Sequence, residues 1–81
     1  MKEVLKFSAS WCQPCKALAT MLYDHPYKDI VKDVDIDKDM ELAIQYGVRS
    51  VPTMIMLEDG KEIKRKNGLP THDELTTWFS D

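Results

Sequence analysis

The stretch Trp11-Cys12-Gln13-Pro14-Cys15 decides how this chain is read. It holds both cysteines, two residues apart, beside a tryptophan and just after the short strand-like run Val4 to Ser8. Two thiols at this spacing, one of them at the start of a helix, can exchange with a disulfide. A structural staple explains the pair poorly. A disulfide stabilises mainly by closing a loop, and a loop of about four residues gains only about 2 kcal/mol from chain entropy. Zinc explains it no better. The remaining soft ligands, His25 and His72, lie far apart in the chain and do not form the close histidine pair of a zinc finger.

The 81 residues are read as one domain, 1–81, with a small core. Hydrophobic residues make up 43% and charged residues 31%, the balance of a globular chain rather than a disordered one. A net charge of −3 gives no reason to expect nucleic acid as a partner. Met1 to Lys6 contains no long apolar stretch of the kind that marks a signal peptide, and no apolar run approaches the length of a membrane span. The expected compartment is therefore cytoplasmic, where thiols are kept reduced and a Cys-x-x-Cys pair is usually catalytic.

Working outward from the dithiol, Val4 to Ser8 reads as a buried strand. A helix is expected from Cys12 to about Tyr23, its inner face formed by Cys15, Leu18, Ala19 and Leu22. Pro14 is tolerated in its first turn, where the backbone nitrogen has no intrahelical partner. His25-Pro26 closes it, and Ile30 to Ile36 reads as a second strand. Asp37 is expected to cap a helix from about Lys38 to Tyr46, with Met40, Ala43 and Ile44 inward and Gly47 as its stop. Pro52 to Leu57 is a continuous apolar strand, as when both sheet faces are covered. Glu58-Asp59-Gly60 turns it into the charged strand Lys61 to Lys66, read as an edge that resists aggregation rather than a nucleic-acid patch. Thr71 and Glu74 have the spacing of a capping box ahead of a last helix with Leu75, Trp78 and Phe79 on its apolar face. The fold class is α/β, in the order β-α-β-α-β-β-α. The first two strands should be parallel with a right-handed crossover.

This arrangement resembles the thioredoxin family. Trp11-Cys12-Gln13-Pro14-Cys15-Lys16 resembles the family's Trp-Cys-Gly-Pro-Cys-Lys, and Phe7 lies five residues before Cys12, as a family phenylalanine does. Tyr46-Gly47-Val48-Arg49-Ser50-Val51-Pro52-Thr53 resembles the segment that ends in the family's cis-proline. Gly60 and Gly68 match its hairpin glycine and the glycine before the final helix. The resemblance runs from about Val4 onward and leaves out the first strand and helix of full-length thioredoxins. It implies a compact, glutaredoxin-sized form: a minimal thioredoxin fold with a four-stranded mixed sheet and helices on both faces.

The resemblance implies roles for individual residues. Cys12 is the nucleophile that forms a mixed disulfide, and Cys15 is the resolving thiol. A helix N-terminus independently favours a thiolate at Cys12. Pro52 faces the dithiol in the cis form, and the backbone of Val51 pairs with an extended substrate. Trp11 either flanks the dithiol or packs in the core. Gln13 and Pro14 tune the pair, Gln13 standing where the family usually has glycine. Lys6 stands where thioredoxins commonly have a buried aspartate, and Asp33 aligns with the lysine that accompanies it. The pair is therefore read as inverted, Lys6 favouring the Cys15 thiolate by charge. The alternative is that Lys6 reaches to the surface and Asp33 is solvated.

The function so implied is a thiol–disulfide oxidoreductase that reduces protein disulfides, with no bound cofactor or metal beyond the redox-active Cys12–Cys15 pair. It would act as a monomer, drawing electrons from thioredoxin reductase or from glutathione. A glutaredoxin-like, glutathione-dependent enzyme is the nearest alternative. Its compact length favours it, whereas Trp-Cys-x-Pro-Cys favours thioredoxin. The segment Gly68 to Asp73 lies where glutaredoxins hold glutathione but lacks their double glycine. A second alternative, of another class, is a binding subunit with incidental redox activity, since fold alone does not set function.

Overall fold

Residues alternate across the first strand. Val4 sinks into one apolar cluster with Leu18, Leu22, Met54, Met56, Leu75, Trp78 and Phe79. Leu5 and Phe7 sink into another with Val34, Ala43, Ile55 and Leu57. A strand presents successive side chains to opposite sides, so two clusters on one strand mean that both of its faces are covered. The computed structural model describes residues 1–81 and arranges them accordingly. Strand β1 is Lys2–Ser8, helix α1 Gln13–Leu22, β2 Val31–Asp35, α2 Met40–Gln45, β3 Thr53–Glu58, β4 Lys61–Asn67 and α3 His72–Ser80, with a 3-10 turn at Lys28–Ile30 ahead of β2. The sheet order is β2-β1-β3-β4. Strand β1 runs parallel to β2 and antiparallel to β3, and β3 antiparallel to β4. Helices α1 and α3 supply the first cluster and α2 the second. This is the thioredoxin fold, in the element order expected from the sequence.

Strand β3 is central, which is why Thr53 to Leu57 are all buried and why its sequence shows no polar alternation. The β3–β4 turn places Asp59 and Gly60 both at positive φ, 52° and 86°. Those are the signs that a two-residue hairpin turn needs to match strand twist. Strand β4 is the edge expected from its charges. Its side chains are tied down: Arg65 donates twice to the Glu62 carboxylate at 2.7 Å and once to Tyr46 O at 2.9 Å. Lys64 reaches the carbonyl of Trp78 in α3.

Several boundaries and faces differ from expectation. Helix α2 begins at Met40, not Lys38, and its cap is Asp39, whose carboxylate accepts the Leu42 N–H at 3.3 Å. The N–H groups of Lys38 and Asp39 are already taken by Asp35 O, which holds a turn there instead. On α2 only Ala43 is buried, with Leu42 and the capping residue Tyr46 packed beside it, whereas Met40 and Ile44 are 63% and 71% exposed. Two apolar stripes were available at helical spacing, and contact with the sheet selected the other one. Ala19 on α1 is exposed, since the buried stripe narrows to Cys15, Leu18 and Leu22. The second strand begins at Val31 because Ile30 closes the 3-10 turn.

The capping box of α3 forms as read. Glu74 N–H donates to Thr71 Oγ1 at 3.1 Å, and Thr71 N–H donates to Glu74 Oε1 at 2.8 Å. The Thr71 N–H, helped by nearby Lys66, holds the Glu74 carboxyl below its ordinary value of 4.5. A carboxylate with a lowered folded-state pKa stabilises above the unfolded value and loses that contribution as pH falls through the folded one. Replacing Glu74 by glutamine keeps an acceptor and removes the charge. Thermal melts should therefore show the variant slightly less stable than the parent at pH 7. The gap should close as the pH falls well below 4.5; a gap independent of pH would assign it to packing.

Candidate functional site

The chain leaves β1 at Ser8 and enters α1 at Gln13, so the intervening loop delivers Cys12 to the helix cap. Cys12 has extended backbone angles, and its Sγ accepts the N–H of Cys15 at 3.1 Å. Cysteine thus takes the place that serine or aspartate fills at most caps. A hydrogen bond to sulfur at this position strengthens as the sulfur becomes anionic, and the helix macrodipole acts in the same sense. No acidic residue lies in the first turn to oppose it. Pro14 occupies that turn, where its missing N–H costs nothing.

Cys12 and Cys15 are joined as a disulfide, with Cα atoms 5.2 Å apart. Both are almost covered, at 5% and 4% exposure, so accessibility does not separate their roles. They form a small cluster with Ala9, against which Ile36 and Val51 pack. The Val51–Pro52 peptide is cis, Pro52 is buried, and Val51 is half-buried against the cysteines. This loop is anchored from both sides. Thr53 Oγ1 donates to Ser50 O at 2.8 Å, and the Gly68 N–H donates to Pro52 O at 2.8 Å. Segments distant in sequence are thus held together at one end of the sheet.

Trp11 is 65% exposed, which removes a core role for it. Its indole N–H donates to the Asp37 carboxylate at 3.0 Å. Asp37, expected to cap α2, instead holds the tryptophan beside the dithiol. Asp-Lys-Asp-Met offers two aspartates as the α2 cap, and the approach of two loops gives Asp37 to Trp11 instead. Gln13 and Pro14 are exposed on the first turn of α1. Lys6 is buried, and its ammonium lies 2.8 Å from Oδ1 of the largely exposed Asp33, so the two residues pair. Lys6, Cys15, Asp33 and Asp35 open onto one cleft of about 360 Å³ beneath α1.

No cluster of three or more His, Cys, Asp or Glu side chains is arranged to hold a metal ion. His25 instead packs on Phe79, with ring centroids 5.2 Å apart. No helix is long and apolar enough to cross a membrane. The chemistry on offer is a dithiol–disulfide couple at a helix N-terminus.

Comparison with known proteins bears on the same residues. The thioredoxin family model matches residues 1–81. A thioredoxin of Chlamydia muridarum is 42% identical over 81 residues, covering 95% of this chain and 78% of that protein. One of Chlamydia trachomatis is 43% identical with the same coverage. Among solved structures, a variant thioredoxin of Halobacterium salinarum superimposes with a TM-score of 0.84 at 31% identity, covering 95% of this chain and 70% of that one. Sequence, fold and the capped dithiol agree, and the chain belongs to the thioredoxin family as a thioredoxin-type dithiol oxidoreductase.

Proposed function

We propose that this protein reduces disulfides in protein substrates, with Cys12 as the attacking sulfur and Cys15 as the resolving one. The observation that carries the reading is Cys12 at the α1 cap, its Sγ accepting the Cys15 N–H. The Cys12 thiolate attacks one sulfur of the substrate disulfide. A Cys12–substrate bond forms, and the other substrate sulfur leaves as a thiolate. Cys15, deprotonated, then attacks Cys12 Sγ, closing the Cys12–Cys15 disulfide and releasing the second substrate thiolate. Two electrons pass to the substrate.

Trp11 and Val51 form the surface that receives the substrate segment, and the cis Pro52 peptide sets the Val51 backbone there. Exposure of Trp11 and the packing of Val51 on the cysteine cluster support this assignment. The backbone of Val51 would pair with an extended chain, a mode in which main-chain bonds give affinity without demanding one sequence. The protein acts as a single domain, as a monomer, and in the cytoplasm, with no bound cofactor.

We assign electron supply to a thioredoxin reductase rather than to glutathione. At the α3 N-terminus, where a glutathione carboxylate would dock, Glu74 already supplies a carboxylate to the Thr71 N–H. Measuring turnover of a disulfide-bonded protein with thioredoxin reductase plus NADPH, and separately with glutathione, tests this. The reductase system should be faster by at least about an order of magnitude. Equal or greater turnover with glutathione would reverse the assignment, and no turnover with either would overturn the reductase reading.

A further inference from the structure

Lys6 is the one charged side chain that the fold buries. Alternation along β1 turns Val4 and Lys6 to the α1 side of the sheet and Leu5 and Phe7 to the other. The parallel register of β1 and β2 then sets Asp33 directly beside Lys6. An ammonium taken from water is costly unless it is paired. Its carboxylate partner is 75% exposed, so water shares that carboxylate and the compensation is partial. Cys15, from α1, lines the same cleft. The other charged groups facing it are Lys16 from α1 and Asp35 from β2. The Asp35 carboxylate is engaged by the Asp37 N–H at 2.9 Å.

We propose that Lys6 is a positioning residue for the resolving step: its buried ammonium stabilises the Cys15 thiolate, and Asp33 limits how much of that charge the sulfur feels. This rests on the reading of Cys15 as the resolving sulfur. In the step itself the Cys15 S–H gives its proton to water in the cleft, and Lys6 keeps its own proton throughout. The thiolate pair forms the bond to Cys12 Sγ as the Cys12–substrate bond breaks. Two consequences follow with opposite signs. Removing the cation should make Cys15 harder to ionise, and removing the anion should make it easier. The same cation favours the reduced protein wherever Cys15 is ionised.

The experiment follows the thiolate absorbance of Cys15 against pH in a Cys12→Ser background, where it is the only thiol. Lys6→Met should move the midpoint up by about one pH unit, the low end for a lost opposite charge at short range. Asp33→Asn should move it down, and Lys6→Arg should leave it near the parent value. Above the midpoint, Lys6→Met in the two-cysteine protein should shift the equilibrium with glutathione about tenfold toward the disulfide, ~30 mV for a two-electron couple. A merely structural Lys6 would lower melting temperature without opposed midpoint shifts. Unmoved midpoints, or shifts of the same sign in Lys6→Met and Asp33→Asn, would overturn the proposal. Should Lys6→Met not fold, the exposed Asp33→Asn variant decides alone: a midpoint that rises or stays put sinks it. Whether Cys12 captures substrate is read separately, from trapping in Cys15→Ser, so the two readings fail independently.

Discussion

Cys12→Ser should reduce disulfide exchange to the uncatalysed background, and Cys15→Ser should leave the protein able to attack but unable to let go. Serine at the α1 cap keeps the local structure, because a hydroxyl accepts the same N–H that Cys12 Sγ accepts at 3.1 Å. What is lost is the thiolate at the cap, the sulfur assigned to open the substrate's S–S bond. A loss of at least about 10³-fold is the scale expected when one member of a catalytic unit is removed. Cys15→Ser should give a first turnover on the parent's time scale, followed by a stable mixed disulfide visible as an added mass. Trapping by Cys12→Ser instead, with Cys15→Ser inert, would exchange the two roles. The burial of the two sulfurs is so similar that only this experiment, together with their helix positions, separates them.

Phe7→Ala should cost about 3–5 kcal/mol, the range for truncating a fully buried aromatic side chain. Phe7 has no exposed surface, sits between Leu5 and the site loop on β1, and packs its ring 6.2 Å from that of Tyr46. At ~0.05–0.15 kcal/mol per residue, a domain this small has roughly 4–12 kcal/mol of stability in all. The substitution would therefore consume a large part of it. Urea unfolding should show a much lower midpoint with an unchanged slope. A loss below about 1 kcal/mol would mean that the second cluster closes over the vacancy, and that the sheet face beneath α2 is softer than its packing implies.

The dithiol and the wall it faces were legible in different degrees. Cys12 and Cys15 could be read directly, since their spacing and Pro14 are local and place them on the first turn of a helix. The capping box at Thr71 and Glu74 was legible for the same reason: its partners are three residues apart. Asp37 and Asp39 both precede Met40, and by local sequence either could cap α2. The choice was made by Asp35 O, which takes two N–H groups into a turn, and by Trp11, which takes the Asp37 carboxylate. Helical spacing on α2 fits two apolar stripes equally, and only the sheet beneath the helix leaves Met40 and Ile44 outside.

By itself, then, the chain's order of residues determined the local matters: which segments are helix or strand, where the hairpin turns, and that a thiol stands at a helix cap. These depend on backbone preferences and on partners a few residues apart. Tertiary structure alone decided that Val51 packs on the cysteines, that Asp37 holds Trp11, and that Lys6 is buried against Asp33 on a cleft that Cys15 also lines. Those contacts join residues separated by long stretches of chain. Their energies depend on strand register and on how far water is excluded, neither of which exists until the sheet and helices close over one another.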